Sequence, residues 1–172
     1  QTVNSLLSSI VRLQPECKFF FFFSAAVYGS PDSLPINEMA AIKPISPYGW
    51  HKYLSEIICK KFFVLYKIET ISLRVFAVYG DGLTKQLFWD IYQKLLLSKN
   101  ISLFGTGKES RDFINIKDLV EAIDIIIKKG VFNGEVYNVS SGIETTINEA
   151  ANLFCELYNP ELKVSFSGQN KP

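Results

Sequence analysis

A tyrosine and a lysine stand one helical turn apart in the segment that follows a proline-rich loop. Tyr48 and Lys52 belong to "YGWHKYLSEIICKKFFVL", whose apolar residues recur at helical spacing on more than one side. Residues four apart share one face of a helix, about 6 Å apart along its axis. A phenol with a pKa near 10 is a poor base at neutral pH, and a nearby ammonium favours its ionised form. The pair predicts a proton-transferring tyrosine, with a solvated helix face as the alternative.

A serine ends the most apolar run of the chain. In "KFFFFFSAAVYG", Lys18 and Ser24 close the run after far fewer residues than the roughly 18 to 20 that a membrane span needs. We interpret the run as a buried strand of a parallel sheet, central rather than at an edge, because burying each phenylalanine contributes about 2 kcal/mol. Ligands of such sheets bind beyond the carboxyl ends of the strands, so Ser24 is a candidate site residue.

Predicted strands alternate with predicted helices along the chain, which indicates an α/β fold. A helix covers 1–13, and a second apolar strand covers 71–80. Thr146 and Glu149 form a capping box that opens the last helix. Other helices are predicted in "LTKQLFWDIYQKLLL" and "KDLVEAIDIIIKK", which ends at Gly130, and other short strands in "ISLFGTG", "EVYNVSSG" and "KVSFSG".

Composition excludes several classes of function. The 172 residues are 48% hydrophobic and 20% charged, which is typical of a globular protein. A net charge of +1 with no basic stripe argues against nucleic acid as a partner. Cys17, Cys59 and Cys155 are widely spaced and form no C-x-x-C, so we expect neither a disulfide nor a metal site. We find no signal peptide and no membrane segment, and we expect a cytoplasmic protein.

Four segments together resemble the extended short-chain dehydrogenase/reductases, the NAD-dependent sugar-nucleotide epimerase/dehydratase family. They come in that family's order and near its spacing: "SAAVYG", "SPYGWHK", "LRVFAVYGDG" and "GTGKESRDFINIKDLV". The resemblance implies a Rossmann-like doubly wound parallel sheet, truncated at its N-terminus, with part of a small C-terminal substrate-binding α/β domain. It assigns residues 1–82 to the NAD-binding domain and 83–172 mostly to nucleotide-sugar binding, with 111–130 returning to the first domain.

The resemblance also implies a role for each matching residue of the first domain. Ser24 hydrogen-bonds the reacting sugar oxygen, and Tyr48 accepts and donates the proton. Lys52 holds the nicotinamide ribose and favours the ionised tyrosine. Phe76, in "RVFAVYG", lines the nicotinamide pocket. The implied cofactor is NAD, and all of these residues except Phe76 are implied to be catalytic.

Three later residues match the family's nucleotide-sugar site. Phe104 falls where an aromatic ring packs against the nucleotide base, and a core position is its alternative interpretation. Arg111 matches the arginine that meets the diphosphate, where a guanidinium fork suits two phosphate oxygens. Lys171 lies at the start of a loop that in the family contacts the diphosphate. The implied substrate is a nucleotide sugar, most simply a UDP-sugar.

The two residues after Ser24 favour one reaction within the family. The 4,6-dehydratases resemble one another in carrying an acidic pair there, whereas this chain has Ala25 and Ala26. An alanine cannot act as a general acid or base, so we expect a 4-epimerase that works through a keto-sugar intermediate. The alternatives are a keto-sugar reductase or dehydrogenase, a dehydratase, and a non-catalytic protein that only packs or associates.

The family's glycine-rich loop, which lets the backbone approach the cofactor pyrophosphate, has no counterpart in this sequence. The chain also opens on a running helix without a start methionine, so we expect it to be part of a longer protein and inactive by itself. For the intact protein we expect a homodimer that pairs through the opening helix and the helix from Tyr48 to Leu65.

Overall fold

The computed structural model describes residues 2–159 and 161–169, so Lys171 lies outside the described residues. The chain forms two compact units, which we call unit 1 (residues 1–76 and 118–140) and unit 2 (residues 77–117 and 141–172). In chain order the elements are α1 (Thr2–Leu13), β1 (Phe19–Ser24), a 3-10 helix (Ala25–Val27), α2 (Pro47–Tyr66), β2 (Thr70–Val75), β3 (Ala77–Tyr79), α3 (Gln86–Leu95), β4 (Asn100–Leu103), β5 (Ser110–Asn115), α4 (Ile116–Lys129), β6 (Asn133–Val139), β7 (Glu144–Thr146), α5 (Ile147–Tyr158) and β8 (Lys163–Phe166).

Unit 1 is built on a parallel sheet in the order β1-β2-β6, which confirms the predicted α/β class. The central strand β2 faces α2 on one side, where the Thr70 hydroxyl donates to the carbonyl oxygen of Cys59 at 3.1 Å. Because side chains alternate along a strand, Ile71 points to the other face, where it lies against Gly130 just after α4. The sheet of unit 1 is therefore covered on both faces at β2.

The phenylalanine run lies at an edge of this sheet, so the prediction of a central strand is wrong for the described chain. Strand β1 pairs in parallel with β2 alone, from Phe19 opposite Thr70 to Ser24 opposite Val75. Phe19 and Phe23 are buried, but Phe22 is 47% exposed. Side chains alternate along the strand, so Phe22 points to the face opposite Phe19 and Phe23, and only part of the run contributes to the core.

The buried phenylalanines face two helices. Helix α1 has an apolar stripe, and α2 begins at the cap residue Ser46, whose Oγ accepts from the Gly49 N–H at 3.1 Å, with Pro47 at the first helical position. This packing forms the core of unit 1, which contains Leu7, Phe19, Phe23, Cys59 and Ile68.

The apolar run 71–80 is two strands rather than the single strand predicted. Strand β2 ends at Val75, opposite Val139 of β6, and the Phe76 N–H donates to the Val139 carbonyl at 3.1 Å. From Ala77 onward the chain belongs to unit 2, where β3 pairs with β5. The hydrogen-bonding partner changes at Phe76, and that change ends the first strand.

Unit 2 contains a sheet in the order β3-β5-β7 and a pair of parallel strands, β4 and β8. Its core lies between α3, α5 and β4, and includes Ile91, Ile101, Leu103, Ala151 and Cys155. The predicted capping box is confirmed, because the Glu149 N–H donates to Thr146 Oγ1 at 3.1 Å and the Thr146 N–H donates to the Glu149 carboxylate at 2.8 Å. Strands β5 and β7 were not predicted.

Within residues 2–159 and 161–169, no helix combines the length and the apolar character that crossing a bilayer requires.

Thiol chemistry tests the cores of both units. Burial raises the pKa of Cys59 to about 12, with a smaller contribution from the charge of Glu56, and burial also raises the pKa of Cys155. Because the thiolate is the reactive form, we expect only the half-buried Cys17 to react rapidly with Ellman's reagent at pH 8.

The Cys59 thiol ionises more readily in the unfolded chain, so the stability that it contributes is present below its ordinary pKa of 9.0 and is lost as pH rises toward 12.

The control for this labelling is Cys17→Ser, which removes the rapid phase while the other thiols react after denaturation in guanidinium chloride. A rapid phase that persists in Cys17→Ser would contradict the burial of Cys59 and Cys155.

Candidate active site

Ser24 ends β1 and caps the short helix that follows. Its Oγ accepts a hydrogen bond from the Ala26 N–H at 3.2 Å, and its backbone is extended. An N-terminal cap of this kind uses a lone pair of the hydroxyl and leaves the hydroxyl proton available for donation. Ser24 is half-buried and can act as a hydrogen-bond donor to a ligand at the end of the strand.

The first turn of α2 lies directly against the segment after Ser24. A Cβ added at Gly49 would lie 2.6 Å from the carbonyl oxygen of Ala26, closer than real side-chain atoms come. Glycine is therefore required at this close approach, and it brings the neighbouring Tyr48 to the same end of β1. Gly49 was not predicted as a site residue, although it stands directly after the tyrosine.

Lys52 connects α2 to the last residues of β1. Its Nζ donates to the carbonyl oxygen of Phe22 at 3.0 Å and lies 5.7 Å from the centre of the Tyr48 ring. Nζ also lies 5.3 Å from the centre of the Phe21 ring. The Tyr48 side chain is 56% exposed, so its hydroxyl is accessible to a ligand. The structure thus brings Lys52 to Tyr48, and both to the strand that ends in Ser24.

Phe76 is half-buried in the same unit. Its ring centre lies 6.5 Å from that of the buried Tyr28, whose own position follows the 3-10 helix after Ser24. Four of the predicted site residues, Ser24, Tyr48, Lys52 and Phe76, therefore belong to unit 1.

Phe104 and Arg111 belong to unit 2, where both line a cavity of about 600 Å³. Phe104 is 47% exposed, which is contrary to its alternative interpretation as a core residue, and Lys94 Nζ lies 5.9 Å from its ring centre. Arg111 Nη1 donates to the Ser110 carbonyl at 2.7 Å. Other residues around the cavity are Lys85, Gln86, Trp89, Asp90 and Gln93.

Asp112, next to Arg111 on β5, binds the turn at Ser141 and Gly142. This residue was not predicted from the sequence. Its carboxylate accepts hydrogen bonds from the Ser141 N–H at 2.7 Å, the Ser141 hydroxyl at 2.9 Å and the Gly142 N–H at 2.8 Å. These bonds fasten the turn before β7 to β5. The sequence signal was a Ser-Gly turn, which needs an acceptor for its backbone N–H groups.

No group of three or more His, Cys, Asp or Glu side chains placed to hold a metal ion occurs among the residues that the structure describes. His51, the single histidine, is exposed on α2.

Comparison with known proteins places these features in one family. The profile of the NAD dependent epimerase/dehydratase family matches residues 1–140. A Methanocaldococcus jannaschii protein, provisionally named a UDP-glucose 4-epimerase, is 35% identical over 131 residues, 72% of this chain and 41% of that protein. A dTDP-D-glucose 4,6-dehydratase of Dictyostelium discoideum is 32% identical over 109 residues, 63% of this chain and 25% of that protein.

A solved structure gives the same result. The UDP-glucose 4-epimerase of Thermotoga maritima, determined with UDP-glucose, matches with a TM-score of 0.87 at 26% identity, over 98% of this chain and 56% of that protein. This likeness confirms the predicted Rossmann-like fold, and the family's cofactor is the predicted NAD. The chain spans about half, or less, of the length of these relatives.

Replacing Gly49 tests the close approach of α2 to the end of β1. In an open helix, Gly→Ala stabilises by up to about 1 kcal/mol. At Gly49 the added methyl meets the Ala26 carbonyl, so we expect Gly49→Ala to destabilise the chain by about 1 to 3 kcal/mol, as overpacking does. Urea denaturation measures the change.

The matched control is His51→Ala, at an exposed position two residues along the same helix. We expect this variant to unfold at nearly the same urea concentration as the parent chain. Stabilisation by Gly49→Ala would mean that the helix does not lie against Ala26.

Proposed function

Because this chain belongs to the NAD-dependent epimerase/dehydratase family, we propose that it is the catalytic and substrate-binding part of a nucleotide-sugar 4-epimerase. The observation that carries the proposal is the end of β1, where Ser24 is followed by Ala25 and Ala26 in a short helix that packs on the first turn of α2. Ser24 supplies a hydroxyl there and the alanines supply methyl groups, and Gly49, the neighbour of Tyr48, lies against the Ala26 carbonyl.

The unit 1 residues fit a nicotinamide nucleotide. Lys52 Nζ has three hydrogens and donates one of them to the Phe22 carbonyl, which leaves donors for the hydroxyls of a ribose. Phe76 offers a half-buried aromatic surface. NAD, when bound, accepts a hydride from the sugar carbon and returns it. We propose that Lys52 and Phe76 hold the nicotinamide ribose and ring.

Tyr48 is the proposed acid and base. The Tyr48 phenolate accepts the proton of the sugar hydroxyl and the resulting phenol later returns it, with the Lys52 ammonium 5.7 Å from the centre of the ring. The Ser24 hydroxyl donates a hydrogen bond to the same sugar oxygen. These roles need no acidic side chain, and the carboxylates of Glu38 and Glu56 are occupied by hydrogen bonds with Asn138 and Arg74.

The nucleotide is the proposed ligand of the unit 2 cavity. The exposed ring of Phe104 offers a stacking surface for a base. Arg111 makes one described hydrogen bond, to Ser110, and its remaining N–H groups suit a diphosphate. Lys171 is proposed as a further diphosphate contact. The sugar nucleotide is proposed to be a UDP-sugar, like the ligand in the Thermotoga maritima structure.

Two other reactions are candidates within the family. A dehydratase is favoured by the name of the Dictyostelium discoideum relative, and a keto-sugar reductase would use the same serine, tyrosine and lysine. Ala25 and Ala26 argue against the dehydratase, because elimination of water calls for an acidic group there. A protein with only a packing role is the alternative outside enzymes.

We also propose that the chain is inactive without the family's glycine-rich loop and that the intact protein is cytoplasmic.

An exposed apolar face supports the proposal of a homodimer. On α2, Trp50, Leu54 and Ile57 recur at helical spacing and are exposed, and on α1 the exposed Leu6 and Leu13 are seven residues apart. The two helices pack on each other in unit 1. Together they form a surface, here called the α1/α2 face, that a second copy can cover.

Turnover by the full-length protein tests the proposed activity. We expect interconversion of a UDP-sugar and its C4 epimer with no net change in NADH absorbance, because the hydride returns to the sugar. Tyr48→Phe removes the proton acceptor and should lower kcat by about 10²–10⁴-fold. Tyr66→Phe, an exposed tyrosine on the same helix, is the matched control and should leave kcat unchanged.

The alternatives give different products in the same assay. Stoichiometric consumption of NADH would indicate the reductase, and loss of water from the sugar would indicate the dehydratase. Equal kcat values for Tyr48→Phe and Tyr66→Phe would remove Tyr48 from the mechanism.

A charge on the α1/α2 face tests the dimer. Leu54→Glu places a carboxylate in a surface that would be buried by a second copy, so we expect the full-length protein to sediment as a monomer at micromolar concentration. Leu157→Glu, at an exposed position on α5, is the control and should remain dimeric. A monomeric parent protein would contradict the homodimer.

A further inference from the structure

A charged pair is buried in unit 1 between α2 and β2. Arg74 is 4% exposed and Glu56 is 7% exposed. The pair is bidentate, because Arg74 Nε donates to Glu56 Oε2 at 2.9 Å and Nη2 donates to Oε1 at 2.6 Å. Burial opposes the charge on Arg74, but the hydrogen bonds and charge of Glu56 raise the pKa of the guanidinium above its ordinary value. The ion pair is a fixed, directional contact between the two elements.

The same guanidinium is bonded on its other side. Arg74 Nη1 donates to the Tyr28 hydroxyl at 2.7 Å and to the Glu38 carbonyl at 3.0 Å. The Tyr28 hydroxyl in turn donates to Asn138 Oδ1 at 2.7 Å, on β6. Arg74 itself is therefore held from several elements and cannot follow a movement of α2.

Glu56 continues the line of proposed catalytic residues on α2. Tyr48, Lys52 and Glu56 are each four residues apart, so they form one stripe along the helix. The helix also has apolar residues on more than one side, with Cys59 buried and Leu54 exposed. Apolar contacts on several sides of a helix favour no single rotation about its axis, whereas a bidentate ion pair is directional and adds to the close approach of Gly49 to Ala26.

We propose that Glu56 and Arg74 are positioning residues that set the rotation of α2 and thereby aim Tyr48 and Lys52 toward Ser24. This inference rests on the proposed function of those three residues. The contribution of the pair is orientation rather than stability, because replacing a buried ion pair by apolar side chains of similar volume is often neutral or stabilising, and fixing register is the best-attested role of such pairs.

The decisive variant is the double replacement Glu56→Met with Arg74→Met in the full-length protein. Both charges are removed together, and Tyr28 keeps its bond to Asn138. We expect normal folding and a KM within about threefold of the parent, but a kcat lower by about 100-fold, since a displacement near 1 Å of a catalytic group costs that much. The control is Asp124→Asn with Lys128→Gln, which removes an exposed ion pair on α4 and should leave kcat unchanged.

A second readout does not depend on activity. We replace Trp89, and any tryptophan outside these 172 residues, by phenylalanine, so that Trp50 is the only tryptophan. Acrylamide quenching of the Trp50 fluorescence then measures the solvent exposure of this side chain, which changes if α2 rotates. We expect the quenching constant to change in the double Met variant and not in the control. If no variant or parent turns over any nucleotide sugar, the proposed function fails, while this measurement still decides the positioning role.

The following outcomes decide whether Glu56 and Arg74 position α2. A folded double Met variant with the parent's kcat and the parent's Trp50 quenching overturns the proposal. If that variant does not fold, Arg74→Lys decides, because it keeps the charge but loses the bidentate fork. Lowered kcat and altered quenching in Arg74→Lys support the positioning role, and parent values for both overturn it.

Discussion

The need to satisfy a buried guanidinium constrains most of unit 1. Moving a charge out of water costs several kcal/mol unless it is paired and hydrogen-bonded. Arg74 meets that condition through Glu56, Tyr28 and the Glu38 carbonyl, which belong to α2, to the segment after β1 and to the long loop before α2. Any rearrangement that moves one of these partners leaves a buried charge unpaired. One side chain of β2 therefore ties together α2, the loop before it and the segment after β1, in addition to the strand pairing of β1 with β2.

Local patterns were sufficient to predict most elements of the fold. The stripe of α1, the glycine after α4 and the capping box of α5 are signals read within a few residues, and each gave an element of the right type. The spacing of Tyr48 and Lys52 also depends only on the geometry of one helix, and the structure shows their side chains together. In the same way, Ser24 was predicted at a strand end because the apolar run stops there.

Pairing partners could not be read from the same patterns. The phenylalanine run has the composition of a central strand, yet its place in the sheet depends on which strands lie beside it, and in the described part of the chain that strand is β2. The run 71–80 has no break in its apolar pattern, but the change of partner at Phe76 divides it. Arg74 and Glu56 were missed for a related reason, since two charged residues far apart in sequence give no local sign that they meet inside a core.

Among the residues that the structure describes, no strand pairs with the outer edge of β1, and this has a consequence for how the chain folds. An open strand edge offers a row of N–H and C=O groups to any other chain, and here it is flanked by the partly exposed Phe22. Association between chains at that edge becomes faster as the protein concentration rises. Pairing of β1 with β2 occurs within one chain, so its rate does not depend on concentration. Slow production at low concentration should therefore raise the yield of native chain, and charged replacements at Phe22 should act as gatekeepers without touching the buried side of the strand.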